Sequence, residues 1–477
     1  MINVTFLQEL MNTVAEQGRQ LLPWPLRGAG AGEKVEALAA ALVSSRGEAS
    51  GVVLARELLS RYATISPDEK RAFFRYLAEA MQPDRAQAKL ASAAFAKDPS
   101  DANLARLQTV LESPRQEFFR RLNLAPGATA QIVAMRRDLL RQPKGEAALT
   151  AALALVDGDL MHLLYSWFNR GFLVLRRIDW QTPAAILDKI IAYEAVHEIQ
   201  GWDDLRRRLD PADRRCFAFF HPSLIDEPLI FVEVALMGEI PAGITDVLHE
   251  ERKTAAVPPN TAVFYSISNC QEGLRGISFG NFLIKQVAEE LAKEHPTLKT
   301  FVTLSPVPHF ARWLDRVRAD MTAGVVTTAD RVALASLNDP EWVDDPSSEI
   351  TLKPSLMSLA AHYFLVAKNG DGRPVDQVAR FHLGNGAKLE RINWLGDTSP
   401  KGLAEAHGLM VNYKYELKEI EANHEAYAND GTVVASRNVK SLLRQSDKAK
   451  AQPELKKLPA PARKVAMEPA SDEDTRT

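Results

Sequence analysis

Two stretches of this chain place chemistry-capable residues at a spacing that matters. Gly273-Leu274-Arg275-Gly276-Ile277-Ser278-Phe279-Gly280-Asn281 joins a run that reads as a strand to one that reads as a helix. Glycines let the backbone approach a ligand, and a helix N-terminus leaves amide donors facing outward, which suits phosphate or thioester oxygens. The pattern is neither GxGxxG nor a P-loop, since no Lys-Ser/Thr follows the glycines. A tight packing turn is an equally open reading of these residues. The second stretch, Asp376-Gln377-Val378-Ala379-Arg380-Phe381-His382-Leu383-Gly384-Asn385-Gly386, reads as a short helix closed by a left-handed glycine, with a strand from Ala387 to Trp394 after it. Asn385-Gly386 as a two-residue hairpin turn competes locally; Val378 and His382, four apart, favour the helix.

These segments need elements to position them. Pro228 to Leu236, Thr261 to Ser268 and Thr300 to Leu304 read as buried strands, and Gly280 to Glu294, with Phe282, Leu283, Val287 and Leu291 on one stripe, reads as a helix between the last two. Strand, glycine turn, helix and strand make a βαβ unit and a partly parallel sheet. Asp210-Pro211-Ala212-Asp213 reads as a further helix start. Before about residue 180 the pattern is helix after helix. Ser66-Pro67-Asp68-Glu69 is a capping box with proline at the first helical position, leading Phe73, Phe74, Leu77 and Met81 at helical spacing. A second start at Ser100-Asp101 leads Leu104, Leu107, Val110 and Leu111, a third run faces Ile132, Val133, Met135 and Leu139 inward, and a fourth spans Leu153 to Phe168. His162, within that last run, reads as a buried or half-buried core histidine.

Composition bounds the answer. The 477 residues are 46% hydrophobic, 25% charged and 7% aromatic, enough for a large core. Lys and Arg number 58 against 61 Asp and Glu, and a net charge of −3 argues against a nucleic-acid platform. Two cysteines, with no CxxC and no Cys/His cluster, predict a reducing compartment and no structural metal. Met1 to Arg27 lacks the unbroken apolar stretch of a signal peptide and the acid-poor character of a transit peptide, and Asp474-Thr475-Arg476-Thr477 is not a peroxisomal tripeptide. No 18-residue apolar run predicts a membrane span. The expectation is a cytoplasmic protein, with no nucleic acid and no membrane among its partners. Ser446 to Thr477, rich in Lys, Ala and Pro, predicts a disordered tail. The domains expected are residues 1–185, a helical bundle; 186–445, a mixed α/β domain; and 446–477, the tail.

The glycine turn resembles the CoA-binding turn of GNAT acetyltransferases, with the spacing of Arg275-Gly276 and Gly280 departing from Arg/Gln-x-x-Gly-x-Gly. In that fold a late helix often carries a tyrosine acid four residues before its closing glycine, and His382 holds that offset from Gly386. The C-terminal half as a whole resembles malonyl-CoA decarboxylase. The residues that carry this likeness are His221-Pro222-Ser223-Leu224, Phe264-Tyr265-Ser266-Ile267-Ser268, Gln271 with Gly273-Leu274 and Gly276, and Phe282-Leu283-Ile284-Lys285. Leu304-Ser305-Pro306-Val307-Pro308, Phe381-His382-Leu383, Asn385-Gly386-Ala387, Arg391-Ile392-Asn393-Trp394 and Gly408-Leu409-Met410-Val411-Asn412-Tyr413-Lys414-Tyr415 continue it. The likeness covers roughly residues 200 to 420, and the helical first half fits that family's N-terminal domain.

The resemblance implies an α+β protein: an N-terminal all-α bundle followed by a GNAT-like mixed α/β catalytic domain that decarboxylates malonyl-CoA to acetyl-CoA and CO2. It implies Ser305 as proton acceptor, His382 as proton donor and Tyr415 bonded near the histidine. It further implies Arg275, Gly276, Ile277, Ser278, Phe279, Gly280, Asn281 and Ile284 as the malonyl-CoA-binding segment. Ser278 stands where some relatives carry an acidic residue. His221 is a lesser candidate, read equally as part of a turn. A thioester is its own electron sink, so no organic cofactor or metal is expected. Histidine's ordinary pKa near neutrality suits the donor role. Relatives assemble through the helical domain, which implies a homodimer or homotetramer. A CoA-dependent acyltransferase of GNAT type and a non-catalytic acyl-CoA-binding protein are the other readings.

Overall fold

The computed structural model describes residues 34–44, 47–143, 145, 147–248, 258–277, 279, 283–320 and 324–448. The region expected as a disordered tail lies almost wholly outside them, as do the N-terminal residues considered for targeting.

Helices fill the first part: Val35–Ser44, Glu48–Thr64, Pro67–Ala80, Arg85–Lys97, Asp101–Leu111, Pro114–Leu122, Ala128–Leu140 and Ala147–Trp167. Local chemistry sets the Pro67–Ala80 start, where the Ser66 side chain accepts from the Glu69 amide and the Glu69 carboxylate accepts from the Ser66 amide. Phe73, Phe74 and Leu77 follow on one face and are fully buried with Phe118 and Phe119. Asp101–Leu111 also forms, yet none of its side chains is buried, and Leu104 and Leu111 remain exposed. His162 corrects its expected place: it is exposed. Val156, Leu160, Leu163 and Leu164 take the buried face of Ala147–Trp167, and helical geometry turns position 162 to the opposite side. That helix is long and apolar enough, by length and composition, to cross a bilayer. Its Asp157 and Asp159 are ion-paired to Arg136 and Arg115, each at 2.7 Å.

The sheet is built from β1 (Val174–Ile178), β2 (Arg214–His221), β3 (Leu224–Met237), β4 (Thr261–Asn269), β5 (Thr300–Thr303), β6 (Ser305–Pro306), β7 (Lys388–Asn393) and β8 (Met410–Lys414). Among the described residues their order is β1-β2-β3-β4-β5-β8-β6, with β7 on β8. The sheet thus starts ahead of residue 186, the expected boundary. The edge strand β1 carries Arg176 and Arg177 and is mostly exposed, so it has no apolar pattern to read. Asp210 to Asp213 is not a helix start. Asp210 closes the helix Trp202–Leu209, and Pro211 begins the turn into β2, its carbonyl accepting from the Arg214 amide. Asp-Pro serves turns as readily as helix starts.

Alternate residues of β2 face different layers. Phe217 and Phe219 join the large core that includes Val287 and Leu291 of helix Leu283–Glu294, while Cys216, Ala218 and Phe220 pack with Ile186, Leu187 and Ile190. β4 and β5 pair in parallel from Thr261 with Thr300 to Phe264 with Thr303, and helix Leu283–Glu294 is the crossover between them. This helical region followed by a mixed α/β sheet is the expected α+β architecture.

Candidate active site

The site lies where β4 and β5 part. Their last shared bond runs from the Leu304 amide to the Phe264 carbonyl, at 2.9 Å. Beyond it β4 continues to Asn269, while Ser305-Pro306 turns to pair with β8. A register shift against β3 leaves Tyr265 as a bulge at this point of divergence. The wedge is a cavity of about 440 Å³, lined by Phe264, Tyr265 and Ser268 of β4, Ser305 and Pro306 of β6, and Phe381 and His382. Its position at the carboxyl ends of a diverging parallel pair is where open sheets place ligands. The segment Ala195-Val196 forms a further wall. It is pinned by the Glu194 carboxylate, which accepts from the Ser266 hydroxyl at 2.7 Å and from the Val196 and His197 amides at 2.8 Å.

His382 is carried by the helix Gln377–Gly384. The buried Asp376 carboxylate caps it, accepting from the Ala379 amide at 2.7 Å and from the Tyr363 hydroxyl at 3.1 Å. At the other end the Ala387 amide returns to the His382 carbonyl at 3.1 Å. Gly386 has φ +81°, and a Cβ there would sit 2.2 Å from the Ile420 carbonyl oxygen, so the helix closes on a glycine that nothing larger can replace. Asn385-Gly386 is thus a helix end and not a hairpin turn.

The three residues implied as catalytic come together. His382 Nε2 lies 3.2 Å from Ser305 Oγ, and His382 Nδ1 lies 2.8 Å from the Tyr415 hydroxyl. The Ser305 hydroxyl donates to Thr303 Oγ1 at 2.9 Å. With that proton committed, the ring must donate to Ser305, which assigns the imidazole proton to Nε2 and leaves Nδ1 to accept from Tyr415. The Tyr413 ring stacks on the imidazole, with centroids 4.5 Å apart and planes at 23°. Burial lowers the His382 pKa to about 3. This corrects the expectation of a group titrating near neutrality: the imidazole is neutral and its N–H is its donor. Burial pushes the Tyr415 hydroxyl well above its ordinary range, so it stays protonated and can donate.

Of the segment implied as substrate-binding, Ser278, Gly280 and Asn281 lie outside the described residues. Arg275 and Gly276 are exposed, with their carbonyls accepting from Arg136 Nη1 at 2.9 Å and from the Tyr165 hydroxyl at 2.7 Å. Ile277 and Phe279 line a second cavity of about 380 Å³ that shares Asn269 and Phe381 with the first. Ile284 is 1% exposed, in the core behind the turn, and lines neither cavity. His221 packs 4.7 Å from the Phe168 ring, and its Nδ1 accepts from the Ser223 amide, as its turn reading has it.

Sequence reasoning missed Thr303, Tyr413 and the capping role of Asp376. Asp376 stands three residues before Ala379 at a helix start, a cap signal in plain view. Thr303 and Tyr413 carried no such signal, because each meets its partner only through strand pairing. The Tyr413 amide on β8 donates to Thr303 Oγ1 on β5 at 3.1 Å.

Comparison with known proteins identifies the family. The family model of the malonyl-CoA decarboxylase C-terminal domain matches residues 171–453, and that of the N-terminal domain matches residues 81–168. The mitochondrial malonyl-CoA decarboxylases of Anser anser anser and Mus musculus are each 36% identical over 361 residues, 71% of this chain and 71% and 73% of theirs. Among solved structures, malonyl-CoA decarboxylase from Rhodopseudomonas palustris is 55% identical with a TM-score of 0.81, covering 85% of this chain and 98% of its own. That from Cupriavidus metallidurans is 35% identical with a TM-score of 0.66, covering 90% and 100%. With both domain models in order along one chain and relatives matched over most of its length, this chain belongs to the malonyl-CoA decarboxylase family.

Proposed function

We propose that the chain converts malonyl-CoA to acetyl-CoA and CO2, with Ser305, His382 and Tyr415 as its catalytic residues. The observation that carries this reading is the hydrogen-bonded row Tyr415, His382, Ser305, Thr303 at the wall of a wedge-shaped cavity, in a chain of this family.

Breaking the bond between the α-carbon and the carboxylate releases CO2 and leaves its electron pair on carbon, delocalised onto the thioester oxygen. One proton must then reach carbon. The protein has to hold the carboxylate out of the thioester plane, offer donors to the enolate oxygen and supply that proton. Preorganised donors of this kind are each worth about 10²–10³ in rate. His382 delivers its Nε2 proton to carbon as Tyr415 passes its hydroxyl proton to Nδ1, so the ring stays neutral, and water returns a proton to Tyr415 after each turnover. Ser305 accepts the Nε2 proton in the resting site and so fixes the direction of the ring. Thr303 in turn fixes the Ser305 hydroxyl. The turn from Arg275 to Asn281 receives the CoA moiety, with Ile284 as packing behind it.

The test is a coupled assay for acetyl-CoA formed from malonyl-CoA by the purified chain with no acceptor present. Turnover is expected. A requirement for an acceptor amine would indicate an acyltransferase, and tight binding without turnover a binding protein.

The chain is further proposed to assemble as a homodimer or homotetramer through its helical half. Leu90, Leu104 and Leu111, exposed on Arg85–Lys97 and Asp101–Leu111, support this. Free, buried Cys216 and Cys270 suit the reducing cytoplasm. The ion-paired Asp157 and Asp159 suit a bundle helix at Ala147–Trp167 rather than a membrane span.

A further inference from the structure

We infer that Arg373 and Arg380 form the subsite for the phosphates of the CoA moiety. The inference rests on the proposed substrate and says where its charged end sits. Both arginines line the 380 Å³ cavity, and its lining among the described residues holds no carboxylate side chain. That cavity meets the catalytic one at Phe381 and Asn269. Phe381 precedes His382, so a single side chain of the catalytic helix stands between the reacting end and this chamber. Ile277 and Phe279, from the glycine turn, also line it.

The two arginines reach this one chamber from a single short stretch of chain. Arg380 Nη1 donates to the Pro374 and Val375 carbonyls at 2.8 and 2.7 Å, which fixes the guanidinium beside the first turn of the helix. Arg373 is exposed, in the turn just before it. Both act electrostatically on the Tyr427 hydroxyl, as does Asp371. Tyr427 lines the same chamber, and its buried hydroxyl has no hydrogen-bond partner among the described residues. Two guanidiniums against one carboxylate leave an excess of positive charge. A guanidinium meets phosphate through two parallel N–H bonds, and CoA carries a 3′-phosphate and a pyrophosphate at the end remote from its thioester.

Steady-state kinetics of Arg373→Gln and Arg380→Gln on two substrates test this. Malonyl-CoA is compared with the malonyl thioester of N-acetylcysteamine, which has the same reacting group and no phosphate. Each variant is expected to raise KM for malonyl-CoA by about tenfold, the range of a charged hydrogen bond, with kcat retained and kcat/KM for the truncated thioester unchanged. Calorimetry with CoA and 3′-dephospho-CoA should show weaker CoA binding and a reduced preference for the 3′-phosphate. Equal losses on both thioesters, or unchanged KM and CoA affinity, would overturn the subsite. Arg373 is exposed, so its variant decides the matter alone if Arg380→Gln does not fold. Failure of the wild-type chain to decarboxylate malonyl-CoA would instead overturn the proposed function, and the CoA calorimetry would still decide the subsite.

Discussion

Arg136, on the helix Ala128–Leu140, donates through Nη1 to the carbonyl of Gly273 at 2.8 Å. The same nitrogen reaches the Arg275 carbonyl, and its Nε is paired with Asp157. A Cβ on Gly273 would sit 1.9 Å from the Val133 carbonyl oxygen, so the turn lies directly on the helical half. The bundle is thereby more than a platform: it holds the Gly273, Arg275 and Gly276 carbonyls at the start of the segment proposed to receive CoA.

The first prediction follows from that contact. Tyr165→Phe removes the bond to the Gly276 carbonyl and little else. It should cost about 0.5–1.5 kcal/mol of stability and weaken acetyl-CoA binding. Arg136→Met strips a buried charge from Asp157 and from both carbonyls, and should cost about 3–5 kcal/mol. Thermal unfolding and calorimetry check both. CoA affinity identical to wild type in a folded Tyr165→Phe would mean that the bundle does not set the turn.

A second concerns Ser305 and His382, 3.2 Å apart. Ser305→Ala and His382→Asn should each lower kcat by about 10²–10⁴-fold. The double variant should lose little more than either, because residues acting as one unit are strongly non-additive. Acetyl-CoA binding should be nearly preserved in all three. Multiplicative losses would point to separate roles. Near-normal kcat in His382→Asn would move the proton donor elsewhere, with Tyr415 the next to test.

The third isolates Thr303. Thr303→Val keeps the shape of the side chain and removes the acceptor for the Ser305 hydroxyl and the Tyr413 amide. Ser305 can then donate to His382 Nε2, and the ring proton moves to the wrong nitrogen. A fall in kcat of about tenfold or more is expected, with KM nearly unchanged and a stability loss of about 1–3 kcal/mol. Thr303→Ser should restore kcat. A Ser variant as slow as the Val variant would show that the hydroxyl is not what matters.

The fourth is a pH dependence. His382 has its pKa lowered to about 3 in the fold, against about 6.5 in an unfolded chain. As pH falls through 6.5 the unfolded chain takes up a proton that the folded one refuses. The folded state is therefore fully favoured above pH 6.5 and loses stability between 6.5 and 3, at up to about 1.4 kcal/mol per pH unit. His197, buried and lowered to about 4, adds a slope of the same sign and is present in both proteins compared. Urea unfolding of wild type and His382→Asn at pH 7.5 and 5.5 should show wild type losing more on acidification. Parallel curves would mean that the imidazole is not buried neutral.

Residue order and local pattern settled much of this protein. The capping box at Ser66 to Glu69, the apolar runs of β3 and β4, the βαβ crossover and the short helix carrying His382 each follow from hydrogen bonds or side-chain periodicity within a few residues. Ser305, His382 and Tyr415 were legible from motifs whose order resembles one family. Their contacts were not. Ser305 and His382 are 77 residues apart in the chain, and it is the divergence of β4 from β5 that opens the space between them. Thr303, Tyr413 and Arg136 are ordinary residues of a strand or helix until pairing and packing choose their partners. The lowered pKa of His382 was likewise invisible in sequence, because an imidazole's charge is decided by the water it loses on burial, and only the tertiary structure removes that water.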